Sequence, residues 1–329
     1  MELYPIKFTP ILKDKIWGGT KLKSILNKNI LSEKCGESWE LSGIDGDVSL
    51  VKNGFLKGNS LNELIEIYMS DLVGEKIYET FGEEFPLLFK FIDAANTLSI
   101  QVHPDDKLAK KRHNAYGKTE MWYIVESEDK ADIITGFKKE INKADYLKAF
   151  NEQNLQSILN VEKVKKGDSY FIPAGRVHAI GKGVLLAEVQ QTSDITYRIY
   201  DWNRTDNDGN GRELHTDLAI DAIDYKHYNS YKTDYKLEKN IPSNLADTKY
   251  FTTNLLELDK TIENNYAFLD SFVVYMCMEG ELTISLNNGT RENLYKGETI
   301  LIPAIAEIVT LSPKKNSKIL EVYIKSDFK

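Results

Sequence analysis

Four side chains that could hold a metal ion lie beside turns or at the ends of apolar segments of this 329-residue chain. Two imidazoles, one carboxylate and one amide oxygen form a nitrogen and oxygen donor set without a thiolate. Such a set suits Zn, Fe or Mn and leaves a coordination position for water or substrate. The pattern therefore predicts a metal site that does chemistry rather than a structural zinc. The four residues are Gln101, His103, Glu120 and His178.

The segment TLSIQVHPDD reads as a β-strand whose side chains alternate between two faces. Ser99, Gln101 and His103 share one face, and apolar residues share the other. Pro104 ends the strand because it cannot donate to a β-ladder. A single histidine at a strand end is usually an ordinary polar residue. Here, however, two of only five histidines occur with Glu120 in such settings, which favours metal binding inside a β-barrel.

An internal repeat indicates the architecture that would position these residues. VKKGDSYFIPAGRVHAI at 164–180 matches LYKGETILIPAIAEIVT at 294–310. Each copy reads as a turn, an apolar strand and a second turn, which is a unit of a small antiparallel barrel. Its duplication predicts two related barrels. The second copy has Ile308 where the first has His178, so we expect the metal only in the first barrel.

The remaining pattern predicts a mainly β fold with a few short helices. Ser60 followed by Glu63 forms a capping box before a helical apolar face. Two further helices are predicted at 142–159 and 216–224. Most other apolar segments are short and separated by turn residues, as in an antiparallel barrel.

Composition excludes several classes of function. The net charge is −8, with 42% hydrophobic and 28% charged residues, so neither nucleic-acid binding nor binding to an anionic membrane is expected. The only cysteines, Cys35 and Cys277, are far apart, which indicates a reducing compartment. No segment resembles a leader or a membrane span, and we expect a cytoplasmic protein. An anionic substrate would need a local cluster of Lys and Arg.

Several motifs together resemble the type I mannose-6-phosphate isomerases (phosphomannose isomerases), in their short bacterial form. They are LSIQVHPDD, GKTEMWY, PAGRVHAIGKGVLLAEVQQTSDITYRIYDWNR and the early KIWGGTKL and GESWELS. The resemblance extends from about residue 10 to the last barrel. It implies a cupin fold with jelly-roll barrels, one Zn²⁺ per chain, and interconversion of mannose 6-phosphate and fructose 6-phosphate. The Gly-Asp-x-x-x-Ile-Pro units alone would indicate only a generic cupin.

The resemblance also implies roles for individual residues. Arg198, in the TYRxxD-like segment, corresponds to the catalytic arginine of the family. The longer members carry a helical insertion between the metal-binding glutamate and the last metal-binding histidine. It is absent here, since only residues 121–177 separate Glu120 from His178. The family's zinc ligands correspond to Gln101, His103, Glu120 and His178, of which Gln101 is the weakest ligand in short forms.

Arg198 carries a permanently charged planar donor group that suits an enediolate oxygen or a phosphate. The alternative is an ordinary surface arginine paired with Asp194 or Asp201. On the strand DITYRIYDW, Arg198 can face the same barrel interior as His178. We therefore expect Arg198 to be both catalytic and substrate-binding.

Lys118 lies two residues before Glu120, so in an extended segment both side chains point to one face. It could bind a phosphate or transfer a proton, and the alternative is a solvated loop lysine. Ser99 could donate a hydrogen bond to the substrate. The general base stays open between a hydroxide on the metal, Lys118 and an acidic residue such as Asp194 or Asp201.

We expect residues 1–240 to form a catalytic, metal-binding cupin-like domain with small helical elements. Residues 241–329 should form a second cupin-like barrel without a metal site. The polar stretch 229–249 is the natural join between them.

Two other classes of protein share part of this pattern. Two histidines and a carboxylate on a cupin-like barrel also describe a non-haem iron oxygenase. A non-catalytic sugar-phosphate-binding cupin is the second alternative. Gln101 as a fourth ligand, together with Lys118 and Arg198 for an anionic phosphosugar, favours the isomerase.

Overall fold

A computed structural model of the chain describes residues 2–205 and 209–325. The strands preceding residue 140 are β1 (Ile6–Thr9), β2 (Ile11–Gly19), β3 (Cys35–Leu41), β4 (Leu50–Val51), β5 (Leu87–Ala94), β6 (Ile100–Val102), β7 (Glu120–Ser127) and β8 (Asp132–Phe137). Those that follow are β9 (Leu159–Lys163), β10 (Ser169–Ile172), β11 (His178–Ile180), β12 (Val184–Gln191), β13 (Tyr197–Tyr200), β14 (Ser243–Asp247), β15 (Thr252–Leu258), β16 (Ile262–Asn265), β17 (Val273–Leu286), β18 (Arg291–Tyr295), β19 (Thr299–Ile302) and β20 (Ile308–Tyr323). The helices are α1 (Lys21–Ser24), α2 (Leu61–Val73), α3 (Glu75–Phe81), α4 (Asp106–His113), α5 (Lys143–Asn151) and α6 (Thr216–Ala222).

Two antiparallel sheets enclose the first barrel. One sheet has the strand order β10-β7-β12-β5-β3-β2, and the other has the order β13-β6-β11-β8-β9. Side chains from both sheets, among them Trp122, Ile133 and Ile180, pack in one buried cluster between them. Helices α5 and α6 cover the outer face of the five-stranded sheet through Tyr146 and Ala219. The outer face of the five-stranded sheet is therefore buried beneath these helices.

The second barrel is built around two long strands, β17 and β20. One half of β17 pairs with β19 and the other half with β18, while β20 pairs with β15 and then with β16. Tyr275, Ile284 and Val309 belong to the cluster that fills this barrel. The fold is thus mainly β with several sheets, as predicted, and it matches a cupin fold.

The N-terminal strands belong to the sheet of the second barrel. Strand β1 pairs with β19, placing Ile6 opposite Leu301, and β4 pairs with β1. The division of the chain at residue 240 stays a prediction. Strands β1 and β4 precede that point in the sequence but belong to the sheet of the second barrel.

The outer face of the six-stranded sheet packs against the second barrel. Phe89 and Val189 share a buried cluster with Val274 and Val322 of the opposite sheet. Every residue of β5 and β12 is buried. Because both faces of these strands are covered, their sequences do not show a simple apolar and polar alternation.

The repeat predicted from the sequence is present in the fold. Gly167 and Gly297 both have positive φ, of 89° and 83°, and each lies in the turn before a strand, β10 or β19. Pro173 and Pro303 follow those strands directly. Both copies are therefore turn–strand–turn units.

The predicted helices differ in accuracy. The capping box is confirmed, because Ser60 accepts from the Glu63 N–H while the Glu63 carboxylate accepts from the Ser60 N–H. The helix predicted at 142–159 is too long. It ends at Asn151, a short 3-10 turn follows at 155–157, and residue 159 already begins β9, which pairs with β8.

Two findings concern the predicted cellular setting. No helix within the described ranges is long and apolar enough to cross a membrane. Cys35 and Cys277 are both buried and both free thiols. A cytoplasmic location stays a prediction from the sequence.

Alanine substitution of two glycines tests how tightly the turn of the second repeat copy packs against its neighbours. A Cβ on Gly297 would lie 2.3 Å from the Leu26 carbonyl oxygen, whereas a Cβ on Gly289, also at φ 83°, would meet nothing within 4 Å. Gly289→Ala should lower the free energy of unfolding only by the cost of the left-handed backbone conformation, about 1–2 kcal/mol. Gly297→Ala should lose clearly more free energy of unfolding, measured by urea denaturation. Equal losses would contradict this packing.

Candidate functional site

Three of the four predicted metal ligands meet at one point inside the first barrel. The ligand atoms of His103, Glu120 and His178 all lie within 4.8 Å of one another, and each residue is about 1% exposed. His103 Nε2 is 3.3 Å from Glu120 Oε1, and His178 Nε2 is 3.8 Å from Glu120 Oε2. This spacing is compatible with one shared cation.

The strands explain why these residues converge. Strand β6 pairs with β11 so that Gln101 lies opposite His178, and His103 follows β6 directly. Glu120 is the first residue of β7, on the facing sheet. The alternation that we read in the sequence thus puts His103 on the same face as Gln101, and the pairing of β6 with β11 brings His178 to that face as well.

Each histidine ring is oriented by the backbone. Nδ1 of His103 lies 2.9 Å from the Ile195 carbonyl oxygen, and Nδ1 of His178 lies 2.9 Å from the Arg176 carbonyl oxygen. A carbonyl can only accept, so Nδ1 carries the proton and donates in both rings. The lone pair of each Nε2 therefore faces the centre, as a metal ligand requires.

The charges around the centre favour the forms that bind a cation. Burial, reinforced by the Lys118 cation, lowers the pKa of His103 to about 3, and burial lowers the pKa of His178 as well. Burial alone would raise the pKa of Glu120, but Lys118 and the imidazoles outweigh it and hold this pKa well below its usual value. Near neutral pH the site thus presents two neutral imidazoles and one carboxylate.

Two ligand atoms have no hydrogen-bond partner. Within the described residues, His103 Nε2 and Glu120 Oε2 are buried without one. Buried polar atoms are normally paired, because leaving one unpaired costs about 1–3 kcal/mol. These donor atoms fit a divalent cation, which would satisfy both of them.

Gln101 lies next to this centre with its amide nitrogen facing inward. Its Nε2 is 3.3 Å from His178 Nε2 and donates to that lone pair. An amide nitrogen does not bind a metal, so ligation by Gln101 would require the amide to turn and present Oε1. Its role as a fourth ligand stays a prediction.

The centre opens into a cavity of about 380 Å³. Ser99, Gln101, Lys118, Glu120 and Arg198 all line it, so the predicted site residues other than the two histidines reach one common space. A larger cleft of about 1010 Å³ lies beside it and shares the lining residue Asp194, but it contains none of the predicted metal ligands. The smaller cavity is therefore the candidate site.

Lys118 is not a solvated loop residue. Its side chain is 7% exposed, and Nζ lies 3.1 Å from Glu120 Oε1. A lysine ammonium is seldom buried without a partner, and here the ligating carboxylate is that partner. Lys118 thus holds a proton-bearing group within contact distance of the metal centre.

Arg198 faces the cavity, and no carboxylate among the described residues pairs with it. Its Nη1 donates to the Glu213 carbonyl oxygen at 2.8 Å, and its Nε is buried without a partner among the described residues. Asp201, one expected partner, instead accepts from Arg204 and Arg212. Asp201 is therefore neither paired with Arg198 nor free to act as the base, whereas Asp194 lines the cavity.

A second group of buried polar residues was missed by the sequence reasoning. The Lys90 ammonium donates to Glu188 at 3.2 Å and to Gln190 at 2.7 Å, and Trp122 Nε1 donates to Glu188 at 2.9 Å. Lys90 and Glu188 line the cavity. The signal for them was a charged residue at the centre of an otherwise apolar strand, in LLFKFIDA and in VLLAEVQQ.

Comparison with known proteins identifies the family. The sequence profile described as "Phosphomannose isomerase type I, catalytic domain" matches residues 6–152. The mannose-6-phosphate isomerase ManA of Bacillus subtilis is 38% identical, over 77% of this chain and 79% of its own length. The mannose-6-phosphate isomerase of Streptococcus mutans is 33% identical, over 91% of this chain and 92% of its own. The chain belongs to the mannose-6-phosphate isomerase family.

A solved structure of this family supports the same assignment. The crystal structure of the mannose 6-phosphate isomerase from Bacillus subtilis superimposes with a TM-score of 0.88 at 33% identity, covering 98% of this chain and all of that one. The profile match ends at residue 152, before His178, but this superposition covers nearly the whole chain. The resemblance seen in the sequence motifs is thereby confirmed.

Removal of one histidine tests the metal centre. His178→Ala should lower the metal retained per chain after dialysis by at least about tenfold, because one of three converging ligands is lost. The control is His227→Ala, whose ring contacts the Phe137 carbonyl oxygen away from this cavity. Elemental analysis of both variants measures the effect. Equal metal content in the two variants would argue against the site.

Proposed function

We propose that this protein interconverts mannose 6-phosphate and fructose 6-phosphate. The observation that carries the proposal is a buried His–Glu–His centre, in a member of this family, that opens into a cavity lined by several cationic side chains, Lys118 and Arg198 among them. Aldose–ketose isomerisation moves a proton between C2 and C1 through an enediol, and its developing negative charge needs stabilisation. The cavity offers cations where that charge would form.

We propose that the cofactor is one Zn²⁺, held by His103, Glu120 and His178 with Gln101 as a fourth ligand. A bound divalent ion supplies Lewis-acid polarisation of the substrate's carbonyl and hydroxyl oxygens. Neutral imidazoles with a carboxylate are typical zinc ligands, and the backbone contacts of both rings keep them oriented. The protein's part is to keep these ligands converged in a site that excludes bulk water.

Arg198 is proposed to stabilise the enediolate. Strand β13 pairs with β6 so that Arg198 lies opposite Gln101, next to the metal centre. Burial lowers the pKa of Arg198, and Arg212 adds to this, yet a guanidinium stays charged near neutral pH. A half-buried cation with an unpaired Nε is arranged to meet an anion.

Lys118 is proposed to carry a proton between the enediol carbons or their oxygens. Its ammonium lies against Glu120, so it reaches the same part of the substrate as the metal. Ser99 is buried on the face of β6 that also carries Gln101, and its hydroxyl could donate to a sugar oxygen. The non-haem oxygenase alternative is not favoured, because the relatives over most of the chain are isomerases.

The activity itself can be tested on metal-analysed protein. Incubation with mannose 6-phosphate should yield fructose 6-phosphate in a coupled assay, with equal rates in air and under anaerobic conditions. Removal of the metal by a chelator should abolish turnover, and Zn²⁺ should restore it. Turnover that depends on O₂ would instead support the oxygenase, and binding without turnover would support the non-catalytic alternative.

Arg198→Ala should lower kcat by about 10²-fold or more, the scale for loss of one preorganised charge donor. Zinc content and thermal stability should stay close to those of the wild type. Arg198→Lys is the matched variant, since it keeps the charge and loses the planar geometry. A variant that retains most of its turnover, or one that loses zinc and unfolds, would return Arg198 to a structural role.

A further inference from the structure

Two guanidinium groups bind one buried carboxylate near the cavity, and a third, Arg198, lies near them without binding it. Arg212 binds Asp201 side-on, with Nε to Oδ2 at 2.7 Å and Nη2 to Oδ1 at 2.6 Å. Arg204 Nη2 donates to the same Oδ1. Among the charged groups around Arg198, Arg212 has the largest effect on its pKa, ahead of Asp201.

The charges at this edge do not balance within the described part of the chain. Asp201 is 5% exposed and is the one buried acid among the three guanidiniums. The acid next in influence on Arg198 is Glu213, whose side chain is 83% exposed and lies 4.0 Å from His215. Among the described residues a surplus of positive charge therefore remains beside a partly desolvated cavity, in a protein whose net charge is −8. Such an arrangement favours an anionic ligand.

The other cations that line the cavity are already matched with acids. Lys13 pairs with Asp47. Lys15 lies 3.3 Å from Glu37. Lys90 and Lys118 pair with Glu188 and Glu120, as described above. The unmatched charge is thus located on the arginine side of the cavity.

Arg212 has donors left for a ligand. Its contact with Asp201 uses the Nε proton and one proton of Nη2. Within the described residues no acceptor contacts Nη1, and the side chain lines the cavity. An arginine presents five N–H donors in a fixed planar arrangement, so the free edge can bind two oxygens of one phosphate.

We propose that Arg212 binds the phosphate group of the sugar phosphate and so determines specificity for phosphorylated substrates. This proposal rests on the function proposed above. In a hexose 6-phosphate, the phosphate ester lies at the far end of the chain from C1 and C2. Arg198 lies opposite Gln101, beside the metal centre, so those carbons would lie next to Arg198. Arg212 lines the same cavity and interacts electrostatically with Arg198, so it is available for the phosphate end of the substrate. Two requirements, charge stabilisation and recognition, are then met by two neighbouring arginines.

Arg204 provides a matched control. It binds the same carboxylate as Arg212, but its remaining donors go to main-chain oxygens, with Nη1 to Thr97 at 2.8 Å and Nε to Asp201 at 3.2 Å. Arg204 does not line the cavity. A defect caused by disturbing Asp201 should therefore occur in both variants, whereas a defect in phosphate binding should occur only with Arg212.

The experiment compares Arg212→Gln, Arg212→Lys and Arg204→Gln with the wild type. For Arg212→Gln, KM for mannose 6-phosphate should rise about tenfold or more while kcat stays within about threefold, because uniform binding is lost. The inhibition constant of inorganic phosphate should rise in parallel. The KM and the inhibition constant of Arg212→Lys should lie between those of the wild type and Arg212→Gln, because lysine keeps the charge without the planar pair of donors. Arg204→Gln should keep KM within about threefold.

Calorimetric titration of inorganic phosphate into the metal-loaded proteins separates this proposal from the isomerase proposal. An inactive wild type that still binds phosphate through Arg212 would refute only the isomerase. An active wild type whose KM and phosphate binding are unchanged by Arg212→Gln would refute the phosphate site. An equal KM increase in Arg204→Gln, or loss of phosphate binding in Lys13→Gln alone, would also overturn it. If Arg212→Gln fails to fold, the KM of Arg212→Lys decides: a raised KM supports the phosphate site, and a KM equal to that of the wild type refutes it.

Discussion

The site depends on one electrostatic constraint, the burial of the charged Glu120 carboxylate inside the first barrel. Moving a carboxylate out of water is costly unless cations and donors surround it. Lys118 at 3.1 Å and the imidazole of His103 at 3.3 Å meet that need. The oxygen that remains unpaired, Oε2, faces His178. A divalent cation at this point would complete the compensation, which is why the residues suit a metal centre so well.

The surrounding fold keeps this arrangement rigid. The six-stranded sheet that carries Glu120 is covered on one face by the barrel interior and on the other by the second barrel. Its central strands therefore cannot move without disturbing two cores, since close-packed interiors resist deformation. Lys90 and Glu188 lie side by side on those central strands. The second barrel thus contributes to the site by supporting the sheet, although it supplies none of the predicted ligands.

Period-2 alternation and the repeat predicted much of this, because both are local in sequence. Ser99 and Gln101 share one face of β6, and the glycine turns mark both barrels. The pairing of Lys90 with Glu188 could not be read in the same way, since it depends on which strands are neighbours. The helix predicted at 142–159 was too long because apolar residues near its end belong to β9. Strand pairing overrides local helical periodicity in such cases.

The two barrels differ in how they accommodate a buried acid. In the second barrel, Glu321 is 3% exposed and accepts from Asn254 at 2.8 Å, from Asn264 at 3.2 Å and from the Tyr266 hydroxyl. These partners are neutral, and burial raises the pKa of Glu321 above its usual value. Glu120, surrounded by cationic and imidazole groups, is shifted in the opposite direction. A carboxylate satisfied by neutral donors has no unmet demand for a cation, and among the described residues the cluster that could hold a metal lies in the first barrel, where the carboxylate has cationic partners.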